Sequence, residues 1–155
     1  MTLVKKFDGE FPKRFENEIY NYFGLCSSFI IMLFTSIEAF INRMIPSDYK
    51  DVVEARDKTE IRDNQQIQRL NFDRKILILN KALNKDFKYK YKLKYTHIEK
   101  LQNFRNDIVH TKAVHANVSK YEGVHRCALK FDYVKTIEAV RDFLNFYEPG
   151  LVEEI

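Results

Sequence analysis

Glycine and proline are scarce, 4 and 3 residues in a chain of 155. Together they make about 5%, against the ~12% of an average protein. Their placement excludes more than their number does. From Leu25 to Glu122 there is no glycine, and Pro46 is the one proline in that stretch. Turn-rich β architectures need glycine at short intervals for backbone angles that other residues resist, so they are excluded. A G-x-G-x-x-G loop and a GK[ST] loop are also missing, which excludes a Rossmann dinucleotide unit and a P-loop NTPase.

Cysteine is equally sparse. Cys26 and Cys127 have no metal-type spacing, and one disulfide would not make a framework. His97, His110, His115 and the pair His125/Cys127 match no tight ligand pattern, and no H-E-x-x-H occurs. No metal or other cofactor is expected. The opening residues, MTLVKKFDGE, carry lysines with no apolar core behind them, unlike a signal peptide. The expectation is a reduced, cytoplasmic protein whose Asn117-Val118-Ser119 sequon stays unmodified.

What remains is an ordinary globular composition, 45% hydrophobic and 31% charged, in one domain over residues 1–155. Apolar residues from Pro12 to Ile45 recur at gaps of three, four and one, a helical period. Pro12 suits a first turn and Pro46 a stop; Gly24 with Ser27 and Ser28 marks a place for a kink or break. Phe29–Phe34 is apolar on every face. That run of six is flanked by Ser27, Ser28, Thr35, Ser36 and Glu38, whereas a membrane span needs about 20 apolar residues. No membrane is expected; a helix buried on all sides, partly by a second subunit, fits better.

Residues 47–70 are polar and read as a surface connection with some helix. Asn71 is an N-cap for a second helix with Phe72, Ile76, Leu79 and Leu83 on one stripe. Thr96 and Glu99 have the spacing of a capping box opening a third helix, with Ile98, Leu101, Phe104, Ile108 and Val109. Residues 111–131 look irregular, with a short strand or turn at Val124–Phe131. Asp132 caps a last helix with the stripe Tyr133, Ile137, Val140, Leu144 and Tyr147, ended by Pro149-Gly150. The fold expected is all-α, a bundle of four to five helices.

The sharpest local pattern is Arg105-Asn106-Asp107-Ile108-Val109-His110. Arg105 is a permanent cation with a planar donor fork suited to phosphate. His110 titrates near neutrality and can move protons. Asn106 and His110 are four apart, so the amide can orient the imidazole. Arg105 and His110 are five apart, about 140° around a helix, and converge only by fraying or through a second copy of the motif. A helix-end histidine beside an ordinary surface Arg/Asp pair is the plainer alternative.

The second pattern is a lysine ladder. Residues 85–95 hold five lysines and one aspartate, a local +4 in a chain of net charge +4. Lys88, Lys90, Lys92 and Lys94 alternate with Tyr89, Tyr91, Leu93 and Tyr95, so cations can meet phosphates while rings stack on bases. A solvated loop or charged edge strand explains the same residues without RNA.

Leu101–His110 resembles the signature of the HEPN superfamily: arginine, a polar residue that is often asparagine, then histidine after four to six residues. Ser36-Ile37-Glu38-Ala39-Phe40-Ile41-Asn42 resembles the early long helix of that family, which often points a polar residue at the site. The likeness runs over about residues 12–147. It implies a homodimer with two Arg/His motifs facing each other, and a metal-independent endoribonuclease. Carried over, Arg105 would hold the scissile phosphate and His110 would be general base or acid. Asn106, with Asp107, would support the site, and Glu38 would be a further partner. Products would carry 2′,3′-cyclic phosphate and 5′-hydroxyl ends. Such proteins act as toxins or anti-phage effectors, with an antitoxin or defence-system partner protein. Other members only bind RNA or partners, and a helical scaffold is a third reading.

Overall fold

A computed structural model describes residues 16–55, 58–110 and 119–153. Pro12, His115 and most of the sequon lie outside the described residues. Nearly all regular structure is helical. Five helices have twelve residues or more: α1 (Glu16–Met44), α3 (Phe72–Leu83), α5 (Lys92–Val109), α6 (Ser119–Lys130) and α7 (Tyr133–Tyr147). Between them lie the short α2 (Asn64–Gln68) and α4 (Phe87–Lys90) and a hairpin of β1 (Asp51–Ala55) and β2 (Lys58–Arg62). The fold is an all-α bundle with this hairpin attached.

The chain divides into two compact units, one from residues up to Phe34 with Glu99–Tyr133, the other from Thr35–Ile98 with Val134 onwards. In the first, Cys26, Ile30, Phe34, Leu101, Phe104 and Ala128 are buried. Phe131 bridges two rings, with centroids 5.2 Å from Phe104 and 5.1 Å from Tyr133. The Tyr133 hydroxyl donates to the Ala128 carbonyl at 2.8 Å. Burial, with Cys26 and Tyr22 alongside, pushes the Tyr133 phenol well above its ordinary value.

In the second unit the core is aromatic. Phe143 stacks edge-on against Phe87 at 5.3 Å, Tyr147 at 5.0 Å and Phe40 at 6.3 Å. Edge-to-face pairs of this kind add about 0.5–1.5 kcal/mol each beyond burial. The Tyr147 hydroxyl shares a hydrogen bond of 2.6 Å with the Asn80 side-chain amide and accepts from the Phe87 N–H at 3.4 Å. Burial pushes that phenol up to about 12.

Local signals explain several of these elements. Asn71 is extended and its Oδ1 accepts from the Arg74 N–H at 3.0 Å, so the expected cap is there. α1 runs unbroken through Gly24, and the Ser28 hydroxyl bonds the Gly24 carbonyl at 2.9 Å. A glycine in a helix costs only about 1 kcal/mol against alanine, too little to break one this long.

Other expectations change. Residues 47–70 hold an antiparallel hairpin, Val52 opposite Ile61 and Val53 opposite Glu60, followed by α2. Val52, Val53, Thr59 and Ile61 favour extended backbone. α2 opens with a true capping box: Gln66 N–H to Asp63 Oδ1, and Asp63 N–H to Gln66 Oε1, both 2.9 Å. Thr96 and Glu99 are not a cap. α5 starts earlier, at Lys92, and the Thr96 hydroxyl bonds the Leu93 carbonyl at 2.6 Å inside the helix. Val124–Phe131 is neither strand nor turn: its residues to Lys130 belong to α6. In α7 the buried stripe is Thr136, Ala139, Val140, Phe143 and Tyr147, with Ile137 facing water. The small Thr136 and Ala139 take buried positions, and the larger Ile137 is turned out.

Tyr20–Met44 within α1 is long and apolar enough, by length and composition alone, to cross a membrane. The six-residue run counted from the sequence understates it. Ile30, Ile37 and Ile41 on this helix are wholly shielded from solvent in the protein.

Candidate functional site

α5 carries the Arg-Asn-x-x-x-His pattern at its C-terminal end. The His110 N–H still bonds the Asn106 carbonyl at 2.8 Å, so both belong to the last helical turn. Arg105 is half-buried and His110 exposed. The guanidinium lies over the Phe34 ring of α1, with its carbon 5.3 Å from the centroid. Its Nη1 also donates to Asn106 Oδ1 at 3.1 Å. A ring face beneath and an amide beside it hold a planar cation in one place while leaving other donors of the fork for a ligand.

Asn106 therefore serves Arg105. The expected amide contact to His110 is not formed; the amide oxygen accepts from the guanidinium instead. Among the described residues the His110 imidazole has no hydrogen-bond partner. Asp107 lies close enough to Cys127 of α6 to act on its thiol: burial first, then the Asp107 carboxylate, push that thiol up. His125, on α6, is wedged edge-on against Phe23 at 4.5 Å and Tyr20 at 6.1 Å, and burial lowers its basicity.

Phe34 is the residue that sequence reasoning missed. It stood as one apolar position among many, and nothing in helical periodicity marks a ring as the seat of a distant arginine. Glu38 has a partner of its own: Lys75 Nζ of α3 is 3.6 Å from its Oε1. The lysine is buried, and the glutamate side chain is 28% exposed.

The lysine ladder is helical, not a loop or strand. Asp86 caps α4, its Oδ1 accepting the Tyr89 N–H at 2.9 Å. Tyr91 leaves the helical region (φ −128°, ψ 54°) and separates α4 from α5. That break sorts the rings. Tyr91 packs between Phe87 at 5.2 Å and Phe146 at 5.9 Å, and Tyr95 is buried. Tyr89 and Leu93 point outward, 90% and 82% exposed. Lys94 forms an ion pair with Asp142, and Lys88, Lys90, Lys92 and Lys94 are all exposed. Burial works against the Asp142 carboxylate, but Lys94 and Arg141 together hold it below its ordinary value. Of the six ladder residues expected to meet RNA, Lys88, Lys90, Lys94 and Tyr91 thus have contacts within the protein.

No family model, curated protein or solved structure matches this chain. The chemistry available is that of the residues themselves. One fixed guanidinium and one accessible imidazole end α5. Among the described residues no three His, Cys, Asp or Glu side chains gather as a metal-ligand set would.

Proposed function

We propose that this protein is a HEPN-type endoribonuclease that works as a homodimer in the cytoplasm, where Cys26 and Cys127 remain free thiols. The observation that carries this reading is the end of α5: Arg105 seated on Phe34 and Asn106, followed by an exposed His110. One copy offers one cation and one proton carrier. Two copies facing each other offer a pair of each, which in-line RNA cleavage can use as phosphate clamp, base and acid.

In that reaction a ribose 2′-hydroxyl attacks the adjacent phosphorus. The new P–O2′ bond forms as the P–O5′ bond breaks. One His110 takes the 2′ proton, and its counterpart returns a proton to the leaving 5′-oxygen. The Arg105 forks stabilise charge that grows on the non-bridging oxygens. The products are a 2′,3′-cyclic phosphate and a 5′-hydroxyl. The internal nucleophile needs no metal-bound water. The role that suits such an enzyme is toxin or anti-phage effector, held in check by a partner protein.

The test is cleavage of total RNA by purified protein beside His110→Ala and Arg105→Ala. A general acid–base is worth typically ~10²–10⁴-fold, and both variants lose that much activity while keeping the wild-type melting curve. EDTA leaves the rate unchanged, and a 2′-deoxy substitution at the cut site blocks it. Cleavage that persists in both variants refutes the assignment. RNA binding without any cleavage points instead to a silent HEPN-type binding module, and absence of both to a helical scaffold.

A further inference from the structure

Among the described residues Tyr89 is the most exposed large hydrophobic side chain, on a helix of four residues whose other ring, Phe87, is fully buried. An aromatic side chain held this far into water loses the stabilisation of burial. Its neighbours along the chain are lysines with ring contacts of their own. Lys88 lies over the Tyr95 ring at 4.8 Å, and Lys90 lies over Tyr91 at 5.4 Å and Phe146 at 5.6 Å. Tyr95 is buried and Tyr91 is packed against Phe146, so these two ammonium groups have fixed seats on the same short segment that projects Tyr89. No described acid pairs with Lys90 or Lys92, and Asp86 is occupied with capping α4. The result is one exposed ring on a short segment that also carries exposed lysines.

We infer that Tyr89, with Lys88, Lys90 and Lys92, is a docking site for unpaired RNA, the ring stacking on one base while the lysines track the flanking phosphates. This rests on the ribonuclease reading and narrows its substrate to single strands. A paired A-form helix hides its base faces, so a flat ring finds nothing to stack on. Base–aromatic stacking needs only one exposed face. An anionic bilayer fits less well. Interfacial helices bury a continuous apolar face, and here only Tyr89 and Leu93 project.

The test is equilibrium binding of the full chain, in a His110→Ala background that prevents cutting. The probes are a fluorescent unstructured oligoadenylate, an RNA duplex of the same length, and phosphatidylcholine/phosphatidylserine vesicles. Tyr89→Ala should weaken oligoadenylate binding about 5- to 150-fold, the equivalent of one stacked base. Tyr89→Phe should keep the affinity, and Tyr89→Leu should not. Lys90→Gln with Lys92→Gln should reduce the slope of log K against log salt by about 1.4, or 0.7 for each phosphate contact. The duplex should bind Tyr89→Ala and the parent alike.

Unchanged oligoadenylate affinity in Tyr89→Ala overturns the proposal, as does an equal loss on duplex. Tyr89-dependent binding to vesicles but not to RNA also overturns it. The cleavage reading fails separately: Tyr89-dependent binding by a wild-type chain that cuts nothing keeps this site and removes the enzyme. Cleavage that depends on His110, with no effect of Tyr89 on binding, does the reverse.

Discussion

Glu38→Gln is the substitution that most directly separates a site residue from a structural one. Lys75 Nζ sits 3.6 Å from Glu38 Oε1, with 6% of the lysine side chain exposed and 28% of the glutamate. Removing the carboxylate charge leaves an ammonium with little access to water. Breaking a fully buried pair costs typically ~3–5 kcal/mol. Glu38 keeps about a quarter of its side chain in water, so part of its attraction is already screened and about 2–3 kcal/mol is expected here. With a urea m-value of about 2 kcal/mol/M, the midpoint falls by about 1–1.5 M. The melting temperature falls by about 4–12 °C for a chain of this size.

The reverse change is asymmetric. Lys75→Met puts an apolar side chain of similar length into a buried position, and Glu38 can turn toward solvent, so its cost stays below about 1 kcal/mol. In the double variant Lys75→Met/Glu38→Gln most of the loss is recovered. The assay is urea unfolding by far-UV circular dichroism at one fixed protein concentration, since association adds to apparent stability. If Lys75→Met is as damaging as Glu38→Gln, or the double variant is worse than either, the pairing argument is wrong. Residual cleavage adds a second reading: at temperatures where Glu38→Gln is folded, its RNA cleavage should match wild type.

Phe34→Leu should slow RNA cleavage several-fold without abolishing it, since a cation over a ring is worth about 0.5–2 kcal/mol; Phe34→Tyr should restore the rate, and a full-rate Phe34→Leu enzyme would remove the ring from the account. The Asp142 carboxyl has a pKa below its ordinary 3.8 in the folded state, so its stabilisation is complete above that pH and is lost as pH falls below it. Asp142→Asn should flatten the acid limb of an unfolding curve, and an unaltered limb would show that Lys94 and Arg141 do not act on it. The Tyr147 phenol is raised from 10 to about 12, so the folded state favours its neutral form and loses stability as pH rises between those values. Tyr147→Phe should remove that alkaline slope while costing about 1–2 kcal/mol at neutral pH for the lost hydroxyl partner, read by denaturant titration at several pH values.

The helical character of α1, α3, α5 and α7 was legible from residue order alone, because a 3.6-residue period is set by the backbone's own hydrogen bonds. Asn71 was equally legible: its side chain satisfies an amide three residues away, a bond contained within one turn. Arg105, Asn106 and His110 were visible as a pattern for the same local reason. What the periodicity could not reveal was anything resting on partners far along the chain. Thr96-x-x-Glu99 and Asp63-x-x-Gln66 share the capping spacing, yet only the second opens a helix. The first is overridden because Tyr95 is buried and the helix already continues back to Lys92. The pairing of 51–55 with 58–62 was hidden because its few β-branched residues are interspersed with charges and β-pairing exists only once two segments meet. The ladder's lysines and tyrosines were equivalent in sequence. Tertiary structure packed Tyr91 against Phe146, paired the exposed Lys94 with Asp142 and left Tyr89 in water. Arg105 gained its seat in the same way: the ring beneath it comes from another helix, 71 positions earlier in the chain, and no local rule links the two.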